Sequence, residues 1–233
     1  SSGVGTSFDF TRRLNGSFER FRDVWMKNYL EVKSKFGVSL RMVVTKTFVE
    51  KGANYWYDFI NELKPNSYGF EYYLNTPENN PSIAISYTDY LRFLMEFCQL
   101  IVNKGEIPNF YPIKEVVSVN TGKSFFYGGY FTGDCMKNHI VIDPDGSIGT
   151  CPSLAANDLK IGNIFDQDLY SILNGRERIQ YIIRARNTNC GDCKYSFGIC
   201  GGGCYAMRFY NNTSCDASLK DFTNKKCIEL FEY

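Results

Sequence analysis

The sequence predicts an α/β chain followed by a small, cysteine-rich α+β module, and three observations predict it. Helical and strand patterns alternate through the first hundred residues, as βαβ units on a parallel sheet require. Eight of the nine cysteines crowd the last hundred residues, leaving only Cys98 outside. Between these halves runs a stretch with Pro108, Pro112 and several glycines. The expected division is therefore residues 1–107, a linker over 108–133, and a module over 134–233.

Composition excludes several classes of function. With 26 basic and 25 acidic residues the net charge is +1, so no excess field exists to draw in nucleic acid or anionic lipid. The longest apolar stretch, Phe93 to Val102, is interrupted by Glu96 and Gln99. It falls short of the ~20 residues that a membrane span needs. No basic segment followed by an apolar one opens the chain, so the expected location is the cytoplasm, with neither nucleic acid nor membrane as a partner.

The elements follow in order. Phe18, Phe21, Val24, Trp25, Leu30 and Phe36 recur near helical spacing, with Ser17 as N-cap and Gly37 as the stop. Val38 to Thr45 is rich in β-branched residues and ends in a continuous apolar run, which predicts a strand buried on both faces. Tyr55, Trp56, Phe59, Ile60 and Leu63 share a helical face that Pro65 ends, and Tyr68 to Leu74 reads as the next strand. A third helix, Thr88 to Val102, carries Leu91, Leu94, Met95, Cys98 and Ile101. In the second half, Ile140 to Cys151 reads as a hairpin turning at Asp143-Pro144-Asp145-Gly146, because proline sets the turn entry and Asp-Gly tolerates a left-handed backbone. Leu169, Ile172, Leu173, Ile179 and Ile182 then predict helical packing.

The cysteines carry the chemistry. Cys190, Cys193, Cys200 and Cys204 form C-x2-C-x6-C-x3-C, with Gly201, Gly202 and Gly203 inside the last gap. Soft thiolates select zinc or iron–sulfur clusters, and a C-x2-C turn aims two sulfurs at one centre. Glycines let the backbone approach and donate N–H bonds to sulfur. An odd number of cysteines with C-x2-C spacing points away from a secreted disulfide framework. His139 is the one histidine, so a Cys2His2 zinc pattern can be built at most once. A zinc-stabilised, non-catalytic binding module stays open as the alternative to iron. Cys98 reads as a buried helical thiol, His139 as a structural histidine, and Phe125, Phe126, Tyr127, Tyr130 and Phe131 as packing residues.

Cys135, Gly146-x4-Cys151, the Cys190 to Cys204 cluster and a later cysteine together resemble the seven-cysteine signature of the SPASM domain, the C-terminal module of many radical S-adenosylmethionine enzymes. That signature runs C-x(9 to 15)-G-x4-C, a gap, C-x2-C-x5-C-x3-C, a gap, C; this chain has x6 where the family has x5. Gly5-Thr6-Ser7-Phe8-Asp9 with Arg12 or Arg13 resembles the segment after the fourth strand of the radical S-adenosylmethionine barrel, and Val38 to Lys46 and Tyr68 to Leu74 its fifth and sixth strands. The resemblance therefore implies a partial (β/α) barrel ahead of a SPASM module. It further implies that three βα units, about 90 to 100 residues, are missing. The family's C-x3-C-x2-C loop, which holds the cluster that cleaves S-adenosylmethionine, occurs nowhere in the 233 residues.

For individual residues the resemblance implies two auxiliary [4Fe-4S] clusters. One is held by Cys135, Cys151 and Cys204, its fourth iron either open or closed by Cys215 or His139. The other is held by Cys190, Cys193, Cys200 and Cys227, with Cys215 as the competitor for the last place. S-adenosylmethionine and a third [4Fe-4S] cluster are implied only for a full-length parent, so this chain alone is not expected to generate the radical. The implied partners are a peptide or protein substrate and an electron donor such as ferredoxin or flavodoxin. Sulfatase-maturating members have an acid directly after the G-x4-C cysteine, where this chain has Pro152, so peptide crosslinking is the better-supported class. No catalytic residue is assigned.

Overall fold

The computed structural model describes residues 3–8, 18–76, 80–115, 138–154, 159–185 and 204–211. The chain divides into two compact units, residues 1–120 with 218–233, and residues 121–217.

In the first unit, β1 (Gly3–Phe8), β2 (Gly37–Val44) and β3 (Ser67–Tyr72) form a parallel sheet in that order. Helices α1 (Phe18–Lys33), α2 (Lys46–Glu50), α3 (Gly52–Leu63) and α4 (Tyr87–Asn103) complete the α/β alternation. The segment implied to follow a strand is thus a strand itself. Gly3, Gly5, Thr6 and Ser7 give it almost no apolar alternation, and pairing with β2 from Gly3↔Gly37 to Phe8↔Met42 supplies its order instead.

The strand β2 is buried on one face only. Val38, Leu40, Met42 and Val44 are all but fully buried, whereas Ser39, Arg41 and Val43 are half-buried. The expectation of two buried faces fails because registered neighbours make the second face polar: Gly5, Ser7, Ser67, Gly69 and Glu71 lie beside Ser39, Arg41 and Val43. Asn66 fixes the start of this pairing, its Oδ1 accepting from Val38 N at 2.8 Å while its own N–H donates to Val38 O at 2.8 Å.

Helix α3 buries Trp56, Phe59, Ile60 and Leu63 as expected, and α4 adds Tyr90, Phe93 and Phe97 to the predicted Leu91, Leu94, Cys98 and Ile101. Ser86 caps α4 by accepting from Asp89 N at 3.0 Å. Helix α1 turns a different face inward than its spacing suggests. Val24, Leu30 and Phe36 are 57%, 49% and 46% exposed, while Tyr29 is buried and its ring stacks on Trp25 at 5.0 Å. Lys33 Nζ, donating to Leu63 O at 2.6 Å, ties this helix to the end of α3. An aromatic cluster fills the core. Phe48 lies flat on Trp56 with centroids 3.7 Å apart, and Phe70 meets Phe93, Phe97 and Phe110 edge-on. Beyond α4, Tyr111 bridges to Gly69 in parallel, and Phe110 and Ile113 are buried.

The second unit holds β4 (Val141–Ile142), β5 (Ser147–Gly149) and β6 (Gly162–Asn163) as an antiparallel sheet, then α5 (Leu169–Asn174), α6 (Arg176–Ala185) and α7 (Tyr205–Asn211). Asp168 caps α5 by accepting from Ser171 N at 3.0 Å, and the bond from Ser171 Oγ, together with this one, holds its carboxyl below the usual range. Of the apolar residues expected to pack here, Ile172 is buried and Leu173 and Ile182 are half-buried, but Leu169 and Ile179 are exposed. Tyr181 takes their place, its ring meeting Tyr205 of α7 edge-on at 5.9 Å. The predicted packing residues Phe125, Phe126, Tyr127, Tyr130 and Phe131 lie outside the described residues.

Candidate metal centre and the polar sheet face

Cys151 follows directly on the β4–β5 hairpin, which is built to deliver it. Asp143 N donates to Ser147 O and Gly146 N to Asp143 O, both at 2.9 Å, leaving a three-residue loop of Pro144, Asp145 and Gly146. In such loops a residue with positive φ closes a tight turn, and Gly146 has φ +80. Space demands glycine here as strongly as conformation does. A Cβ on Gly146 would lie 2.5 Å from the Phe165 ring and 2.7 Å from Asn163 Oδ1. The glycine of the G-x4-C pattern is thus what lets β6 close over the turn.

Asp145 locks the same turn. Its carboxylate accepts from Ser147 N at 3.0 Å and Ser147 Oγ at 2.9 Å, and these bonds hold its titration below the ordinary carboxylate range. Asn163 Nδ2 donates back to Asp145 O at 3.0 Å, a partner that no local pattern announces. Burial does not alternate along β5 and continues past its end, so Ser147, Ile148, Gly149, Thr150 and Cys151 are all buried in succession. Cys151 O then accepts from Leu154 N at 3.1 Å, turning the chain just past the thiol.

Of the other predicted ligands, Cys204 is half-buried immediately ahead of α7, in the same unit as Cys151. Cys135, Cys190, Cys193, Cys200, Cys215 and Cys227 lie outside the described residues. His139 is exposed. Among the described residues no three His, Cys, Asp or Glu side chains assemble into a metal site. Cys98 is fully buried in α4, as its isolation in an apolar helix implied. The donor chemistry fits an iron–sulfur cluster: a thiol shielded from water, on a rigid turn, in a segment rich in further thiols.

The first unit presents a separate polar surface on its sheet. Ser39 and Ser67 share a hydrogen bond at 2.8 Å, Ser67 Oγ donating. One step along, Arg41 lies 4.0 Å from Glu71 through Nε, and its guanidinium sits 4.6 Å above the Tyr111 ring. Gly69, in register with Arg41, makes room for this arrangement. A Cβ there would lie 2.2 Å from Arg41 Nη1 and 2.7 Å from Tyr111 Cβ.

Burial raises the Glu71 carboxyl above its ordinary value, with Arg41 opposing the rise. The folded chain therefore holds this proton more tightly than the unfolded chain does. Its contribution to stability is full below the unfolded value and is lost as pH rises through the folded one. Glu71→Gln is expected to flatten that decline in urea unfolding as pH rises above the ordinary carboxylate range. An unchanged slope would show that burial of this group does not set it.

Residues 134–194 match the family model of SPASM, an iron–sulfur cluster-binding domain. Comparison with curated proteins found no match. Among solved structures, native anSMEcpe with bound AdoMet superposes with a TM-score of 0.66 at 19% identity, covering 98% of this chain and 65% of that one. The same protein with bound AdoMet and Cp18Cys peptide gives 0.65 at 20% identity, covering 98% and 67%. With Kp18Cys peptide the values are 0.63, 19%, 98% and 66%. The chain thus spans about two thirds of the length of these solved chains. It is built on the radical S-adenosylmethionine/SPASM fold, and its residues 134–194 match the SPASM iron–sulfur cluster-binding domain.

Proposed function

We propose that residues 134–233 hold two auxiliary [4Fe-4S] clusters serving a radical modification of a peptide or protein substrate. The observation that carries this is the coincidence of the SPASM match with a buried thiol delivered by the Gly146 hairpin. Cys135, Cys151 and Cys204 hold one cluster, its fourth position open or taken by Cys215 or His139. Cys190, Cys193, Cys200 and Cys227 hold the other, with Cys215 as competitor for the last. When bound, such clusters supply one-electron transfer or a Lewis-acidic iron that grips substrate. The protein's part is to present thiolates, keep water from Cys151, and hold the hairpin at one register.

The polar sheet face of Arg41, Glu71 and the serines suits a charged or hydrogen-bonding ligand. The structural neighbours carry AdoMet and peptides, which supports a peptide partner here. With no C-x3-C-x2-C loop in the 233 residues, radical generation rests on a cluster loop outside them, and the electron donor is of the ferredoxin or flavodoxin class. Among the described residues no helix is long and apolar enough to cross a membrane; the clustered thiols are what favour a reducing compartment, and the location proposed is the cytoplasm.

Anaerobic purification and reconstitution test the reading. The chain is expected to be brown, with iron and sulfide in equal amounts at about eight of each for two [4Fe-4S] clusters. Cys151→Ser is expected to lose about half of both. A colourless chain holding zinc would overturn the proposal in favour of a zinc-stabilised module.

A further inference from the structure

Thr150 stands out among the buried polar groups. Its side chain is 1% exposed, yet Oγ1 has no hydrogen-bond partner among the described residues. A buried hydroxyl left without an acceptor is costly. Serine or threonine near a strand end ordinarily escapes that cost by facing solvent or bonding to nearby backbone. Thr150 does neither. It directly precedes Cys151 in a run buried from Gly146 to Cys151, so both adjacent side chains are withdrawn from solvent.

The chemistry of the neighbour gives the hydroxyl a purpose. Thiolate and sulfide sulfurs accept hydrogen bonds inside protein, and such bonds are a main means of adjusting a cluster's reduction potential. We infer that Thr150 is a positioning residue whose hydroxyl donates to sulfur at the Cys151 corner of the cluster and favours its reduced state. This inference rests on the iron–sulfur reading of Cys151. A donor stabilises the more negative, reduced cluster most, so its loss must lower the potential.

The test compares Thr150→Val, which keeps shape and loses the hydroxyl, with Thr150→Ser, which keeps the hydroxyl. All measurements use the full chain, reconstituted anaerobically, with potentials read by redox titration of the visible and electron paramagnetic resonance signals. Thr150→Val is expected to shift one of the two potentials downward by about tenfold in the reduction equilibrium, ~59 mV for one electron. Thr150→Ser is expected to stay at the wild-type value. The metal-free chain gives the opposite sign: there Thr150→Val should be as stable as wild type or more so, because it removes an unpartnered polar atom.

A purely structural threonine would destabilise both forms alike and leave the potentials in place. Unchanged potentials in an iron-loaded Thr150→Val chain overturn this inference while leaving the cluster assignment standing. A wild-type chain that binds no iron overturns both.

Discussion

Gly146→Ala is expected to unseat the cluster site without touching a thiol. The substituted residue must hold φ near +80, which costs an L-residue about 1–2 kcal/mol. It must also displace what its Cβ meets. The exposed Phe165 ring can swing away, but Asn163 cannot, since it donates to Asp145 O and its Oδ1 accepts from Phe165 N at 2.9 Å. Overpacking of this kind adds about 1–3 kcal/mol, so the hairpin should lose roughly 2–5 kcal/mol in all. Iron retention after gel filtration should fall together with the urea midpoint of the second unit. Full retention of iron at an unchanged midpoint would show that the turn does not hold Cys151 in place.

Trp56→Ala is expected to be the most damaging single change in the first unit. The side chain is fully buried, stacks on Phe48, and donates from Nε1 to Phe48 O at 2.8 Å. Truncating a buried tryptophan costs about 3–5 kcal/mol, here with a carbonyl left short of its donor. Near-ultraviolet circular dichroism and thermal melts should show a large loss of stability, with the iron content of properly folded material unchanged. Trp56→Phe should recover a good part, since it restores the ring but not the N–H.

Legibility from sequence followed the range of the interactions. Trp56, Phe59, Ile60 and Leu63 mark a helix by spacing alone, and the structure buries all four. Spacing could not choose the inner side of α1, because apolar residues occupy both sides and the choice falls to the Trp25–Tyr29 stack and to Lys33 reaching Leu63. Strand β1 has no pattern of its own, and β6 is two residues long; both exist through pairing with distant partners. In the candidate site, Gly146 and Cys151 were legible because turn chemistry is local. Asn163, the Arg41–Glu71 pair under Tyr111, and the stranded hydroxyl of Thr150 depend on what folding brings alongside them, which no window of residues contains.

Tyr111 has a consequence for solubility. Its N–H donates to Tyr68 O at 3.1 Å and its carbonyl accepts from Phe70 N at 2.9 Å, so these two main-chain groups on the outer rim of β3 are already satisfied. Strand addition at the Tyr68–Phe70 stretch must first strip away the Tyr111 segment.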